Sequence, residues 1–183
     1  MKSVLISIKP KYVELIANGE KTIEVRKTAP KEVPFKAYIY KTKGATEMPW
    51  VDEDGHFIYK GRGQVIGEFI CDKVYSIKNQ GNSFVVTNEE QGVTNEIARQ
   101  SCLDYDDMVG YLGNKDGYGL HITALKIYDN PKELSEFRPI CKFEGKDLIC
   151  NLCPNHEYNG GLFFECRRKV TRPPQSYMYV EEL

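Results

Sequence analysis

The chain has no apolar run approaching the ~20 residues that a membrane-crossing helix requires, and the apolar part of its start, MKSVLISIKPKY, is too short for a secretory signal. The expectation is a cytoplasmic protein with no membrane partner. Histidine is scarce, with only His56, His121 and His156; His56 and His121 show no paired ligand spacing, which makes them structural side chains. Neither an internal repeat nor a low-complexity tract is present, which excludes solenoid and compositionally disordered classes. Net charge is nearly absent too, at -1.

What is present suits one globular domain. The 183 residues are 41% hydrophobic and 11% aromatic, enough to bury a core. The small net charge hides an asymmetry: residues 1–43 hold ten Lys and Arg against four Glu, a balance of +6, and the remainder holds fifteen cations against twenty-two acids, a balance of -7. A basic N-terminal portion suits an anionic ligand such as RNA, although lysines at solvated edges give the same count.

VLISI (4–8) has the composition of a strand. Pro10 suits the first turn of a helix carrying Val13, Ile16 and Ala17 at helical spacing, and Gly19 is its stop. TIEVR (22–26) alternates, which sends Ile23 and Val25 into the core and places Thr22, Glu24 and Arg26 on the opposite face. Further strands are expected at 36–40, 64–71 and 117–128, with a hairpin over 48–61 turning at Asp54-Gly55. NEIARQS and YDDMVGYL have the pattern of short helices. Short strands with few helices imply an α+β fold built on a mixed β-barrel rather than βαβ units.

The stretch GEKTIEVRK (19–27) places Lys21 at the bend between helix and strand, above Glu24 and Arg26 on one strand face. Such a cluster suits a cleft in which Lys21 and Arg26 attract an anion or a carbonyl oxygen while Glu24 accepts hydrogen bonds or orients the lysine. The alternative is a surface ion pair, worth ~0–1 kcal/mol.

Gly19, Lys21, Glu24 and Arg26, following SIKPKYVELIANG, form G-x-K-x-x-E-x-R, a pattern that resembles the signature of the ASCH domain family, whose barrel is PUA-like. The similarity extends to about residue 128 and resumes at RPPQSYMYVEEL (172–183), a tail that looks like the phage and prophage branch. The resemblance implies a single ASCH/PUA-like domain over 1–183, a cleft lined by the motif, with Lys9 among its ligand-binding candidates, and a role in RNA binding, RNA processing or modified-nucleoside chemistry. One branch hydrolyses N4-acetylcytidine with a lysine, a threonine nucleophile and a glutamate. The lysine matches Lys21, but Glu24 stands in the threonine's place and the later glutamate falls near Ser101. A carboxylate does not replace a hydroxyl nucleophile, because its acyl product is a mixed anhydride. Another part of the family is associated with RNA cleavage, for which Lys21 would stabilise the transition state, with Glu24 as the accompanying catalytic candidate and Tyr40 or a neighbour moving protons.

Aromatics supply candidate base-binding surfaces. Tyr38 and Tyr40 share a strand face, and Trp50, Phe57 and Tyr59 lie on the expected hairpin. Packing explains the tyrosine pair equally well, and Trp50 is the preferred platform. Glu68 falls on the face of Ile66 and Ile70 in an apolar strand, where it needs a partner such as Lys21 or Arg26, unless it caps a bulge at Gly67.

Four of six cysteines, Cys141, Cys150, Cys153 and Cys166, fall within 137–170, which is expected to be a Cys-rich insertion before the last strand. Cys150-Asn-Leu-Cys153 followed by Pro154 is a C-x-x-C turn that brings two thiolates to one metal, and Cys141 and Cys166 complete a sulfur tetrahedron, with His156 as a possible substitute. Structural zinc is the expected cofactor, and Cys71 and Cys102 are expected as buried apolar residues. Arg167, Arg168, Lys169 and Arg172 give the insertion a basic run that would extend an RNA-binding face.

The expected function is an RNA- or nucleotide-binding module with a Lys/Glu/Arg-lined cleft. The alternatives are a hydrolase or ribonuclease acting on RNA or a modified nucleoside, and a protein-interaction module. The cysteine cluster gives a direct test. Elemental analysis of protein purified without chelator should find about one zinc per chain, lost on Cys150→Ser with Cys153→Ser; protein free of stoichiometric metal refutes the ligand set.

Overall fold

The first local feature is a strand that runs directly into a helix: β1 (Ser3–Ile8) leads to α1 (Pro10–Ala17), with Pro10 at the head of the helix where its missing N–H costs nothing. Gly19, at φ +76°, supplies the left-handed residue that ends α1. The computed structural model describes residues 1–43, 50–51, 57–58, 63–81, 84–86, 94–140, 156–158, 164–166 and 168–183. After α1 come β2 (Ile23–Arg26), β3 (Phe35–Lys41), β4 (Trp50–Val51), β5 (Phe57–Ile58), β6 (Val65–Cys71), β7 (Val74–Asn79) and β8 (Phe84–Val86). Helices α2 (Thr94–Ser101) and α3 (Tyr105–Leu112) precede β9 (Gly117–His121), β10 (Thr123–Lys132), a 3-10 turn (Leu134–Glu136) and β11 (Phe137–Pro139). Strands β12 (His156–Tyr158), β13 (Phe164–Cys166) and β14 (Tyr177–Glu182) complete the described elements.

Among the described residues, the strands form a six-stranded sheet in the order β10-β6-β3-β1-β14-β11 and a four-stranded sheet in the order β2-β9-β7-β8. Two further two-stranded pairings, β4-β5 and β12-β13, belong to neither sheet. The fold is mixed α+β with few helices, consistent with the PUA-like expectation. The sequence pattern treats 117–128 as one strand, yet the chain changes sheets within it. Ile122 donates its N–H to the Thr22 carbonyl on one side of the corner, Thr123 pairs with Ile70 on the other, and Ala124 adopts φ +45° just beyond. Sheet-switching corners of this kind join the walls of sandwiches and partly open barrels.

Three apolar clusters hold the sheets together. The first packs Val4, Ile6 and Ile8 of β1 with Phe35, Ala37 and Ile39 of β3, Phe69 of β6, Leu120 of β9, and Val13 and Ile16 of α1. The second lies on the far face of the four-stranded sheet, where Ile23, Val25, Tyr75 and Ile77 meet Ile97, Met108 and Leu112 of α2 and α3. A third covers the outer face of the six-stranded sheet with Leu5, Tyr38, Tyr40, Val65, Phe137, Val170 and Val180. Phe137–Pro139 pairs with β14 and Val170 joins the third cluster, so both ends of the Cys-rich stretch are built into the main body.

Cys141, Cys150 and Cys153 lie outside the described residues. Cys166 is placed as the partner of His156 at one end of the β12-β13 pairing. Cys71 is fully buried as expected, whereas Cys102 is only half-buried, because it occupies a left-handed turn at φ +50° beyond α2. Among the described residues, no group of three or more potential metal ligands is assembled, and no helix is long and apolar enough to cross a membrane.

Phe69 is fully buried where β6 faces the first cluster. Phe69→Ala should lower unfolding stability by ~3–5 kcal/mol in urea denaturation. A loss below ~1 kcal/mol would contradict this packing.

Candidate functional site

Strand period and a helix stop converge on β2. With α1 ended at Gly19, the Lys21 N–H returns to the Leu15 carbonyl, and Thr22 donates to Gln100 near the end of α2. These two bonds fix the junction and carry the Lys21 side chain inward. Glu24 and Arg26 follow on one face of β2, opposite Leu120 and Tyr118 of β9. Ile23 and Val25 enter the second apolar cluster as the alternation requires. The Glu24 face is not solvated, because α1 and β1 pack over it. All four β2 residues are buried, a pattern that alternation alone does not foretell.

The result is a buried charge cluster. Lys21, Glu24 and Arg26 are 1%, 6% and 5% exposed. The Glu24 carboxylate lies 2.9 Å from an Arg26 terminal nitrogen through one oxygen and 3.4 Å from Lys21 Nζ through the other. Lys21 Nζ also donates to the Ser101 carbonyl at 2.5 Å and lies 5.1 Å from the centre of the Tyr12 ring. Arg26 donates to the Ser7 carbonyl of β1 at 2.5 Å, while its Nε is buried without a hydrogen-bond partner. This burial excludes the surface ion pair. Two cations share one carboxylate, and burial pulls the Lys21 pKa below the ordinary lysine value, with Glu24 opposing that shift.

Other sequence candidates lie elsewhere. Lys9 is exposed at the head of α1, where its carbonyl accepts from Tyr12 and Val13. Tyr40 is a correction: it is 4% exposed in the third cluster. Alternation along β3 turns Phe35, Ala37 and Ile39 toward α1 and turns Tyr38 and Tyr40 to the other side of the sheet, where Phe137 packs edge-on against Tyr38 at 4.8 Å. Packing, not base stacking, accounts for that pair. Trp50 pairs through its backbone with Ile58, and the expected turn at Asp54-Gly55 lies outside the described residues.

Glu68 is the second correction, since its partners are Lys36 at 3.1 Å and the Tyr128 hydroxyl at 2.6 Å rather than Lys21 or Arg26. The reason is that β6 and β2 belong to different sheets, and Glu68 points to the half-buried face of β6 opposite Phe69. Burial pushes its pKa up, but the hydrogen bonds from Tyr128 and Lys36 outweigh this and leave it lowered. A register shift does occur beside Gly67, between Ile39 and Tyr40. His121 is held by Asp72 at 2.7 Å, a structural role, and His56 lies outside the described residues.

Tyr12 and Ser101 were missed as partners of Lys21. Tyr12 had a signal, since it stands one helical turn before Ile16 on the inward side of α1. Ser101 stands near the position of the family's later glutamate, but its contact with Lys21 is made by the backbone carbonyl, which residue type does not reveal. The cluster yields a pH test. A lysine whose folded pKa is lowered destabilises the fold while charged, and this penalty fades as pH rises through the folded value toward the ordinary 10.5. Wild-type stability should therefore climb relative to Lys21→Met across that window in pH-dependent urea unfolding. Parallel curves would mean that Lys21 titrates as a solvated lysine.

Comparison with known proteins places this geometry in a family. The ASCH domain profile matches residues 6–112, which span β1 through α3 and include the whole charge cluster. Among solved structures, the crystal structure of ASCH from Zymomonas mobilis is similar at TM-score 0.51 and 18% identity, covering 98% of this chain and 88% of that one. A tyrosine-to-phenylalanine variant of the same protein is similar at TM-score 0.50 and 17% identity, covering 99% and 91%. At such identity the likeness is one of fold. No curated protein matches the sequence at a significant level. The family match over more than half its length, on the motif that builds the buried cluster, makes this chain a member of the ASCH domain family.

Proposed function

We propose that the chain is an RNA- or nucleotide-binding ASCH-type module whose recognition site is built on Lys21, Glu24 and Arg26. The observation that carries this reading is the buried charge imbalance. Two cations face one carboxylate in a region that solvent barely reaches, and one guanidinium N–H has no acceptor. Uncompensated buried charge is costly, and an anionic or carbonyl-rich ligand supplies the missing acceptor. The +6 balance of residues 1–43 adds attraction for phosphate. A zinc-stapled Cys-rich stretch with its basic run at 167–172, a cytoplasmic setting and a phage-type origin remain parts of this proposal that rest on the sequence.

A second reading, a hydrolase or ribonuclease, is favoured by one observation. Burial makes Lys21 easier to deprotonate than an ordinary lysine, so its amine is closer to serving as a proton acceptor. Glu24 would then orient it.

Lys21→Met separates the two readings. Fluorescence anisotropy with short RNA oligonucleotides and a modified-nucleoside panel should show affinity falling ~10-fold or more for the variant, with no turnover by wild type. Log affinity should fall linearly with log salt, and the slope should become shallower by ~1 for each phosphate-contacting cation removed. Wild-type product formation that drops ~10²-fold or more in the variant, with binding preserved, would make the enzyme reading correct. Salt-independent binding would point to a small neutral ligand.

A further inference from the structure

The face of the four-stranded sheet that carries Glu24 changes character along its length. At one end it is sealed: Glu24 lies opposite Leu120, which lies opposite Val74, and Leu120 belongs to the first apolar cluster. Two residues further along β2 the cross-strand row is Arg26, Tyr118 and Ser76. Here the sheet opens. Tyr118 is 37% exposed, Ser76 is half-buried, and Lys78 beyond it is exposed and paired with Asp116 at 2.7 Å. Among the described residues no aromatic ring packs against Tyr118.

The local sequence Gly117-Tyr118-Gly119 explains why the ring stands on this face. The neighbouring positions face the second cluster, where a Cβ on Gly117 would lie 2.8 Å from the Leu112 side chain and one on Gly119 would lie 3.0 Å from Ile23. Glycine at both lets β9 press against α3 and β2, while the residue between them projects to the other side. That residue is a large aromatic whose cross-strand partner is the buried Arg26. An exposed ring on a sheet surface has the chemistry to take an unpaired base on its face.

We propose that Tyr118 is a stacking platform for an unpaired nucleobase of single-stranded RNA, at the exposed margin of the buried Lys21, Glu24 and Arg26 cluster. The inference rests on the RNA-binding reading and deepens it, because it gives a buried charge cluster an accessible margin. Tyr118 is the solvent-exposed residue of the row, and Arg26 and Glu24 on the neighbouring strand are buried. Trp50, favoured as a platform from the sequence, is not needed for this mode of binding. The row also selects for single strands, since a base held in a duplex cannot lay its face on the ring.

The test uses the full chain and single-stranded RNA oligonucleotides carrying 2-aminopurine. Tyr118 is exposed and outside the apolar clusters, so its variants should fold like wild type, which circular dichroism checks. Wild type should bind and quench the 2-aminopurine fluorescence. Tyr118→Phe should preserve both signals, and Tyr118→Ala should weaken binding ~10-fold or more and remove the quenching. If wild type binds RNA and Tyr118→Ala binds equally with full quenching, the platform is wrong while the RNA-binding reading stands. If wild type binds no oligonucleotide at any salt, both fail.

Discussion

The carboxylate of Glu24 ties together parts of the chain that are remote in sequence. One oxygen holds Arg26, which reaches across to the Ser7 carbonyl in the six-stranded sheet; the other approaches Lys21, which caps the Ser101 carbonyl at the end of α2. Three elements are thus linked through one acceptor. Removing it would leave two buried cations without a counter-charge, a defect of ~3–5 kcal/mol by comparison with other broken buried pairs. The same group therefore supports the fold and tunes the candidate site, and substitutions at Glu24 report on both at once.

The cluster was legible because it depends on short-range rules. Gly19 stops the helix, the period of two puts Glu24 and Arg26 on one side, and the bend delivers Lys21 to them. Its burial was not legible. Alternation shows that β2 has two faces, but it does not say that α1 and β1 will cover the polar one. The cue was available only as a tension, since Lys and Arg on a strand between apolar elements read equally well as surface or as buried pairs. Ser101 stands near the family's later glutamate in the sequence, but its acceptor role was not legible, because a backbone carbonyl leaves no mark on residue type.

Elsewhere the local reading held while its spatial assignment failed. Tyr38 and Tyr40 do share a face, and Glu68 does share the face of Ile66 and Ile70, yet both assignments leave open which side of the sheet meets β2. The parallel pairing of β1 with β3 decides that, aligning Ser7 with Tyr40 and Ile6 with Ile39. Strands β7 and β8 leave weak sequence signals because VYSIKN is interrupted by polar residues and FVV is only three residues long. The long expected strand at 117–128 concealed a corner, since an apolar run does not show where its hydrogen-bonding partner changes.

The position of β1 has a consequence for how the protein is made. β1 lies between β3 and β14, and its Ser7 hydroxyl donates to the Pro174 carbonyl, 167 positions later. At ~5–20 residues per second of synthesis, roughly ten to thirty seconds separate the two. Throughout that interval the nascent chain can pair β1 with β3, but the β14 side of β1 is an open edge bearing Val4, Leu5 and Ile6. The newborn protein is thus exposed to mispairing along a strongly apolar strand, and chaperone capture on the ribosome would act there.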